Sequence, residues 1–485
     1  MSGKAEQLTL TEPSDILMIV QGNIMSNRAS QQINIIVSMY LGYAAMMICR
    51  QMVTILSPAL LADDTLGLTK TNLGDFAAYG TLGALVGKLI WGPLADKIGG
   101  RFTFLIGILL TALFIIAFGL SPNVMAFTGF SFLLYCTKSS GWPGMTKLIG
   151  EWFHPQHYGR VWSILATSSR FSVVLATLFF GWLLSFMHWR TVAFIAAVFA
   201  FIIFIGCYFY LKEKPEDPDF FKVDESNIDI NANNPELAIA SKQALNNKYN
   251  HPLKGTGTVD GLVAFAKSPR VWLVVIMLMV LTCMMAFLDF VAVYLMESYQ
   301  LTPSQAAMAS TVFPVGSLIG LLASIAFYDR FSKRGIRTVL TIALTLSLLS
   351  VLTLQYLPLF NLSAELNYSV ALGAIFLFAF SISPAYYLPM SIFSIEYGGP
   401  HSATLVCLID AFGFAASATF AFIGGRLADS EGGWSSFMNM LILISAVGII
   451  SVWAFMHSEY SAAKQGSHLN HANSEDVTTI NKTII

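Results

Sequence analysis

Six ionisable side chains stand deep inside long apolar runs: Arg50, Lys88, Lys138, Arg170, Asp289 and Asp410. A run of about 20 apolar residues is long enough to cross a bilayer as a helix. In hydrocarbon every backbone N–H and C=O must be satisfied by the protein, which leaves helices or closed barrels. A charge facing lipid at the middle of a membrane helix costs roughly 2.5–3.5 kcal/mol. Four cations and two anions turned to lipid would together cost on the order of 15–20 kcal/mol. These side chains must therefore face one another or water, and the chain is constrained to a helical bundle with a polar, ion-binding interior.

The rest of the sequence agrees. The 485 residues are 55% hydrophobic and 11% charged, against about 25% charged in soluble domains. A net charge of −1 gives no reason to expect nucleic acid as a partner. The five cysteines all lie in apolar segments, without metal-ligand spacing or a place in an outer loop, so neither a metal site nor a disulfide framework is expected. No nucleotide-binding glycine loop occurs, no cofactor is implied, and the chain does not read as an enzyme. The N-terminus, MSGKAEQLTLTEPSD, has no signal-peptide core.

Twelve segments read as transmembrane helices, near 33–61, 72–94, 103–120, 124–146, 159–186, 190–211, 271–298, 305–328, 337–357, 368–395, 402–428 and 434–457. The expected organisation is an N-terminal segment 1–32, a six-helix bundle 33–211, a polar linker 212–270, a second six-helix bundle 271–457 and a tail 458–485. Basic residues cluster in one set of loops: Lys97 and Arg101, Arg160, the linker, then Arg330, Lys333, Arg334 and Arg337. The opposite loops are poor in them, which places both termini and the linker in the cytoplasm. GPLADKIGGR at 92–101 is echoed by AFYDRFSKRG at 326–335, and GWLLSFMHWRTVAF at 181–194 by GGRLADSEGGWSSF at 424–437. The fold class expected is all-α and polytopic, with two pseudo-symmetric six-helix bundles.

At GKLIWGPLADKIGGR the chain resembles the major facilitator superfamily, through the loop signature of Gly92, Asp96, Gly100 and Arg101. LGYAAMMICR at 41–50, GWPG at 141–144 and WFHPQHYGRVWS at 152–163 are similar to the organophosphate:phosphate antiporters, the glycerol-3-phosphate transporter group. The resemblance implies that Arg50 binds a substrate phosphate and that Lys88 and Asp289 belong to a charge network between the halves. The chain departs from that group at three places. The second phosphate-binding arginine falls at Met284, the substrate-contacting histidine at Ser169, and a lysine that often follows the first arginine at Gln51. Lys138 and Arg170 are cations this chain has in addition.

Helical spacing shows what each charge shares a face with. The stripes are Tyr43–Met47–Arg50–Thr54, Ser131–Tyr135–Lys138–Trp142, Ser163–Thr167–Arg170–Thr177, Pro384–Tyr387–Ser391–Ser394, Met285–Asp289 and Cys407–Asp410–Phe414. The cations all come from the first half and the deep carboxylates from the second. Arginine forks suit phosphate or carboxylate, so Arg50 and Arg170, with Lys138, Tyr43, Trp142 and Tyr387, form the expected substrate site. Lys88, Asp289 and Asp410 are the expected coupling charges. Lys138 can pair with Asp410, Arg50 with Asp289, and Lys88 can alternatively snorkel. Gly92 would permit close helix approach, and Asp96 would favour a neighbouring helix N-terminus.

The expected function is secondary transport of a small organic anion, organophosphate or carboxylate, by alternating access. Two alternatives stay open: a proton-coupled carrier of a metabolite, amino acid or metal chelate using Asp289 or Asp410, and a transporter-like receptor that does not translocate. The expected setting is a monomer in lipid, in a plasma membrane of the bacterial inner-membrane type, with phosphate or proton as coupling ion.

Overall fold

Apolar runs become helices throughout. The computed structural model describes residues 13–153, 158–215, 253, 257–328, 333–360, 362–398 and 402–482, and no strand occurs among them. The first half holds α1 (Pro13–Leu61), α2 (Lys70–Ile98), α3 (Gly100–Gly119), α4 (Val124–Lys138), α5 (Gly141–Trp152), α6 (Tyr158–Leu183) and α7 (Trp189–Tyr210). A short helix α8 (Thr258–Lys267) leads into the second half. That half holds α9 (Pro269–Ala286), α10 (Leu288–Tyr299), α11 (Pro303–Ala309), α12 (Val312–Tyr328), α13 (Lys333–Tyr356), α14 (Ala364–Gly398), α15 (Ser402–Asp429) and α16 (Gly433–Lys482).

Each expected span coincides with one helix or with a helix pair broken in the middle. The pairs are α4–α5, α9–α10 and α11–α12. Among the described residues ten stretches are long and apolar enough to cross a membrane. The two expected spans outside that set are α2, whose apolar residues are diluted by Asp75, Lys88 and glycines, and α4–α5, where α4 ends after 15 residues. Both are nonetheless inside the bundle, α2 against α4 and α15, and α4 against α2 and α3. At the break after α4 the Cys136 carbonyl accepts from Ser139 N–H at 3.2 Å in a tightened turn and from the Trp91 indole at 2.9 Å, as backbone inside a membrane requires. Three elements differ from expectation, and one of them is α16, which runs on through Lys482 instead of giving way to a tail after 457. α1 starts at Pro13 rather than near 33, and proline suits a first helical turn. The linker's end folds as α8, whose Phe265 is fully buried and lies 6.4 Å from the Tyr397 ring.

The two halves repeat one plan, and a sharper repeat than the basic turns identifies it. LTKTN at 68–72 and LTPSQ at 301–305 both open a helix with a capping box: Thr69 with Asn72, and Thr302 with Gln305. Gly83 and Gly87 lie fourteen and eighteen residues after Thr69, and Gly316 and Gly320 lie fourteen and eighteen after Thr302. A Cβ at Gly83 or Gly87 would sit 2.1 Å from the Phe132 carbonyl oxygen or 2.3 Å from that of Cys136. At Gly316 or Gly320 it would sit 2.5 or 2.2 Å from those of Phe376 or Phe380. Thus α2 crosses α4, and α12 crosses α14, with backbones in contact and no room for a side chain. The turn at 326–335 is only partly inside the described residues.

The halves close on each other at the end of the bundle away from the chain termini, here called the distal end. Gly74 of α2 meets Gly425 and Ala421 of α15 at backbone distance. Around that crossing, Arg426 bonds Asp75 at 2.8 Å, Lys70 bonds Glu297 at 3.1 Å, and Thr71 N–H donates to Asp429 at 3.1 Å. On the other side Ser304 donates to the Gly181 carbonyl at 2.7 Å. Toward the proximal end, α5 makes its principal contacts with α1, α2, α3 and α6, all in its own half. Likewise α14 packs chiefly on α9, α12, α13 and α15. The contacts of α5 and α14 are thus chiefly internal to their own halves, whereas α2 and α15 stay together from Gly74–Gly425 to Lys88–Asp410.

Candidate functional site

The six deep charges converge midway between the halves, and each of the four cations rests on an aromatic ring. Arg50 Cζ lies 4.8 Å from the centre of the Tyr135 ring, Lys138 Nζ 5.4 Å from Tyr43, Arg170 Cζ 4.2 Å from Tyr387, and Lys88 Nζ 4.4 Å from Phe414. Such contacts hold a cation without neutralising it, at about 0.5–2 kcal/mol each. The pairs Arg170–Tyr387 and Lys88–Phe414 join side chains of opposite halves. Trp142 closes the cluster, its ring centroid 5.1 Å from that of Tyr43.

The carboxylates are used differently. Asp410 Oδ2 accepts from Lys88 Nζ at 2.5 Å, and both side chains stay about a quarter exposed, at 25% and 29%. Asp410 thus takes Lys88 and not Lys138, and Lys88 does not snorkel. The reason is register: Asp410 and Phe414 are one turn apart on α15, so the face that carries the carboxylate also offers Lys88 its ring. Asp289 accepts from Thr54 Oγ1 at 2.9 Å, a hydrogen bond across the halves. Thr54 lies one turn beyond Arg50 on the same face of α1, which sets this carboxylate beside the guanidinium without an ion pair within 4.0 Å. Among the described residues, no carboxylate lies within 4.0 Å of Arg50, Lys138 or Arg170. Two forked cations and an ammonium are therefore left with partly exposed faces and no fixed counter-ion, an arrangement that can receive an anion.

The remaining site residues separate. Met284 is fully buried in the core of the second half; a Cβ at Gly448 would sit 3.1 Å from its sulfur. It stands thirteen residues before Glu297, as Arg50 stands thirteen before Asp63, so the place matching Arg50 in the second half is filled by apolar packing. Ser169 turns back to the Ala166 carbonyl at 2.9 Å, and its neighbour Arg170 enters the site instead. Gly92 faces open space, with nothing within 4 Å of a Cβ, so it does not serve close helix approach. That part falls to Gly100, whose Cβ would sit 2.8 Å from the Gly144 carbonyl oxygen. The Asp96 side chain lies outside the described residues, as do those of Ser163 and Ser391. The α3 N-terminus is capped by Glu213, which accepts from Gly100 N–H at 2.8 Å and Arg101 N–H at 2.7 Å. Arg101 in turn donates to the Leu211 and Tyr208 carbonyls. Tyr135, Thr54 and Phe414 were visible only as stripe neighbours of a charge; their ring and hydroxyl contacts are what make them part of the site.

The chain and its fold have known relatives. A family model described as Major Facilitator Superfamily matches residues 39–407. A probable hexose phosphate transport protein of Chlamydia trachomatis is 25% identical over 332 residues, covering 66% of this chain and 68% of its own. The glucose-6-phosphate exchanger SLC37A1 of Homo sapiens is 22% identical over 419 residues, covering 78% and 76%. A crystal structure of a bacterial homologue of the human lysosomal transporter Spinster, inward-facing and unoccupied, superposes with a TM-score of 0.62 at 16% identity, covering 88% of this chain and 96% of that one.

Proposed function

The chain belongs to the Major Facilitator Superfamily, and from that premise we propose that it carries a small organic anion of the sugar-phosphate class across a plasma membrane by rocking its two halves. The observation that carries the reading is the set of Arg50, Lys138 and Arg170, seated on Tyr135, Tyr43 and Tyr387 with no carboxylate within 4.0 Å among the described residues. The names of the relatives support the organophosphate class and exchange as the mode; inorganic phosphate is the counter-substrate in our reading. The loss of a second α9 arginine at Met284 is met from a different helix: Arg170 supplies the second fork.

The positive-inside distribution of lysine and arginine puts the proximal end and both termini in the cytoplasm. On that orientation the α2–α15 crossing at Gly74 and Gly425 is the outer seal. An anion entering between Arg50 and Arg170 draws the rings and forks of both halves together, since Arg170 already reaches Tyr387. Separation of the Lys88–Asp410 pair then accompanies opening of the other side. Only the difference in binding free energy between the two states can drive that change. The chain acts as a monomer in this reading.

Uptake of labelled hexose phosphate into proteoliposomes preloaded with phosphate tests it, beside uptake driven by an imposed pH gradient. Trans-phosphate should drive uptake and the pH gradient should not. Arg50→Lys should reduce exchange at least tenfold while the protein stays folded, because a point charge does not reproduce the fork. Wild-type exchange by that variant would remove Arg50 from the site.

A further inference from the structure

At the proximal end each half ties the start of its third span to its last helix through an arginine, and the two ties are finished differently. Arg101 stands thirty-two residues after the capping Thr69, and Arg334 thirty-two after the capping Thr302. In the first half Arg101 donates to the Leu211 and Tyr208 carbonyls, and its Cζ lies 5.4 Å from the centre of the Tyr208 ring. Those carbonyls can accept because α7 stops at Tyr210 and the last turn of a helix has no partner of its own. In the second half Arg334 is exposed, and Arg337, one turn further along α13, makes the reach instead. Its Cζ lies 5.9 Å from the Trp453 ring and 5.6 Å from the Tyr460 ring, both on α16. Here the last helix does not stop: α16 runs on past these residues, and its carbonyls stay in the helix.

What Arg337 finds is a ring nitrogen. Its Nη1 stands 2.8 Å from His457 Nδ1. A guanidinium only donates, so Nδ1 accepts, the imidazole is neutral and its proton sits on Nε2. The bond therefore leaves the positive charge uncompensated. Among the described residues no carboxylate lies within 4.0 Å of Arg337, and Glu459, two residues beyond His457, is taken by Arg270. The His457 ring stacks on the Trp453 indole, with centroids 5.1 Å apart and planes 3° from parallel. Trp453 is 47% exposed, and its Nε1–H meets no acceptor among the described residues. Toward the middle of the bundle the outer face of α16 is apolar. Leu443, Val447 and Ile450 are exposed there and recur at helical spacing in line with Trp453 and His457.

We infer that Arg337, His457 and Trp453 form a head-group site for an anionic phospholipid in the leaflet at the proximal end. A phosphodiester oxygen accepts from the free edge of the Arg337 fork. The Trp453 indole and His457 Nε2–H supply further donors beside it, as an interfacial tryptophan does. The acyl chains lie along the face of Leu443, Val447 and Ile450. That face leads straight into the cluster and gives a lipid a second contact, which a free phosphate ion lacks. The uncompensated charge of Arg337, with exposed Arg334 one turn away, favours a head group of net negative charge over a zwitterionic one. The site lies on the outside of the second half, so it does not depend on what the cluster of Arg50 and Arg170 carries.

The test titrates the full chain, purified in a neutral detergent, with phosphatidylglycerol and with phosphatidylcholine of the same acyl chains, and reads bound lipid by native mass spectrometry. Phosphatidylglycerol should bind the wild type more tightly than phosphatidylcholine, and equimolar inorganic phosphate should not displace it. Arg337→Gln should weaken phosphatidylglycerol binding about fivefold, the gain of one basic residue at an anionic surface. Lys267→Gln removes the same charge from an exposed lysine of α8 at the same end and should leave the affinity unchanged. Equal affinities of wild type and Arg337→Gln would overturn the site. An equal loss in Lys267→Gln would reduce it to diffuse surface charge, and displacement by phosphate would assign it to the free ion; either result overturns the proposal. In the wild-type chain, phosphatidylglycerol with a photoreactive head group should label the segments around Arg337 and Trp453–Tyr460. Labelling confined to other segments would refute the assignment even where Arg337→Gln fails to fold.

Discussion

Replacing Gly74 by alanine should shift the protein away from the distally closed state. A Cβ at this position sits 2.6 Å from the Ala421 carbonyl oxygen and 2.8 Å from Gly425 Cα. Both are backbone atoms, so no side chain can rotate aside. Ordinary contact begins near 3.4 Å, and α2 and α15 must part by most of an ångström. That separation lengthens the bonds around the crossing, among them Arg426–Asp75 at 2.8 Å. Overpacking of this kind costs about 1–3 kcal/mol. Alanine also gains up to about 1 kcal/mol of helix propensity over glycine, but both conformations are helical here, so that gain cancels from the equilibrium between them. The distally open population should therefore rise about 5- to 150-fold relative to the closed one, at 1.4 kcal/mol per decade. Double electron–electron resonance between labels at Met125 and Glu431 reads the shift as a longer-distance population. Gly129→Ala is the control, since a Cβ there meets nothing within 4 Å. Identical distance distributions for Gly74→Ala, Gly129→Ala and wild type would refute the view that the glycine crossing is the outer seal.

Three further outcomes are expected. Lys88→Ala or Asp410→Ala alone leaves its partner's charge uncompensated, and the double variant should recover about 1–3 kcal/mol of the summed loss, discounted from the fully buried case because both side chains keep some water; additive losses in thermal unfolding would show that the pair is not coupled. Tyr387→Leu should raise the KM for the transported anion by about 2- to 30-fold through loss of the ring under Arg170, while Tyr387→Phe keeps the ring and stays near wild type; equal effects of the two in concentration-dependent uptake would point to the hydroxyl instead. Hydrogen bonds from Thr65 and Trp189 hold the Asp63 carboxyl below its ordinary value of 3.8, so it stabilises the folded state fully above that value and loses this contribution as pH falls through the folded value; the melting-temperature gap between wild type and Asp63→Asn should be open at pH 7 and narrow below pH 3.8, and a gap that widens on acidification would reverse the assignment.

Much of this architecture is legible in the chain because membrane constraints are severe. Apolar length sets the spans, and the cost of a charge in lipid forces Arg50, Lys138 and Arg170 inward together before any contact is known. Periodicity even places Tyr135 and Phe414 on the faces where they serve. What it cannot decide is which partner wins among several within reach. Asp410 goes to Lys88 rather than Lys138 because its face of α15 also carries Phe414, and that this face meets α2 rather than α4 is settled only by packing. The helix breaks at Ser139–Ser140 and Phe287 are likewise tertiary, since the backbone groups there find partners such as Trp91 only after packing. The sharper internal repeat was present as letters in LTKTN and LTPSQ, yet it becomes persuasive only when both are seen to cap helices and to be followed by glycines at equal spacing.

The clasp at Glu213 has a counterpart at the far side of the linker, where Arg270 bonds Glu459 at 3.0 Å through Nε. Each rivets its end of the interval to its own lobe. Each clasp is internal to one lobe, so neither bond has to break when the lobes turn relative to each other. Changes in the length or sequence of that interval therefore need not disturb either clasp.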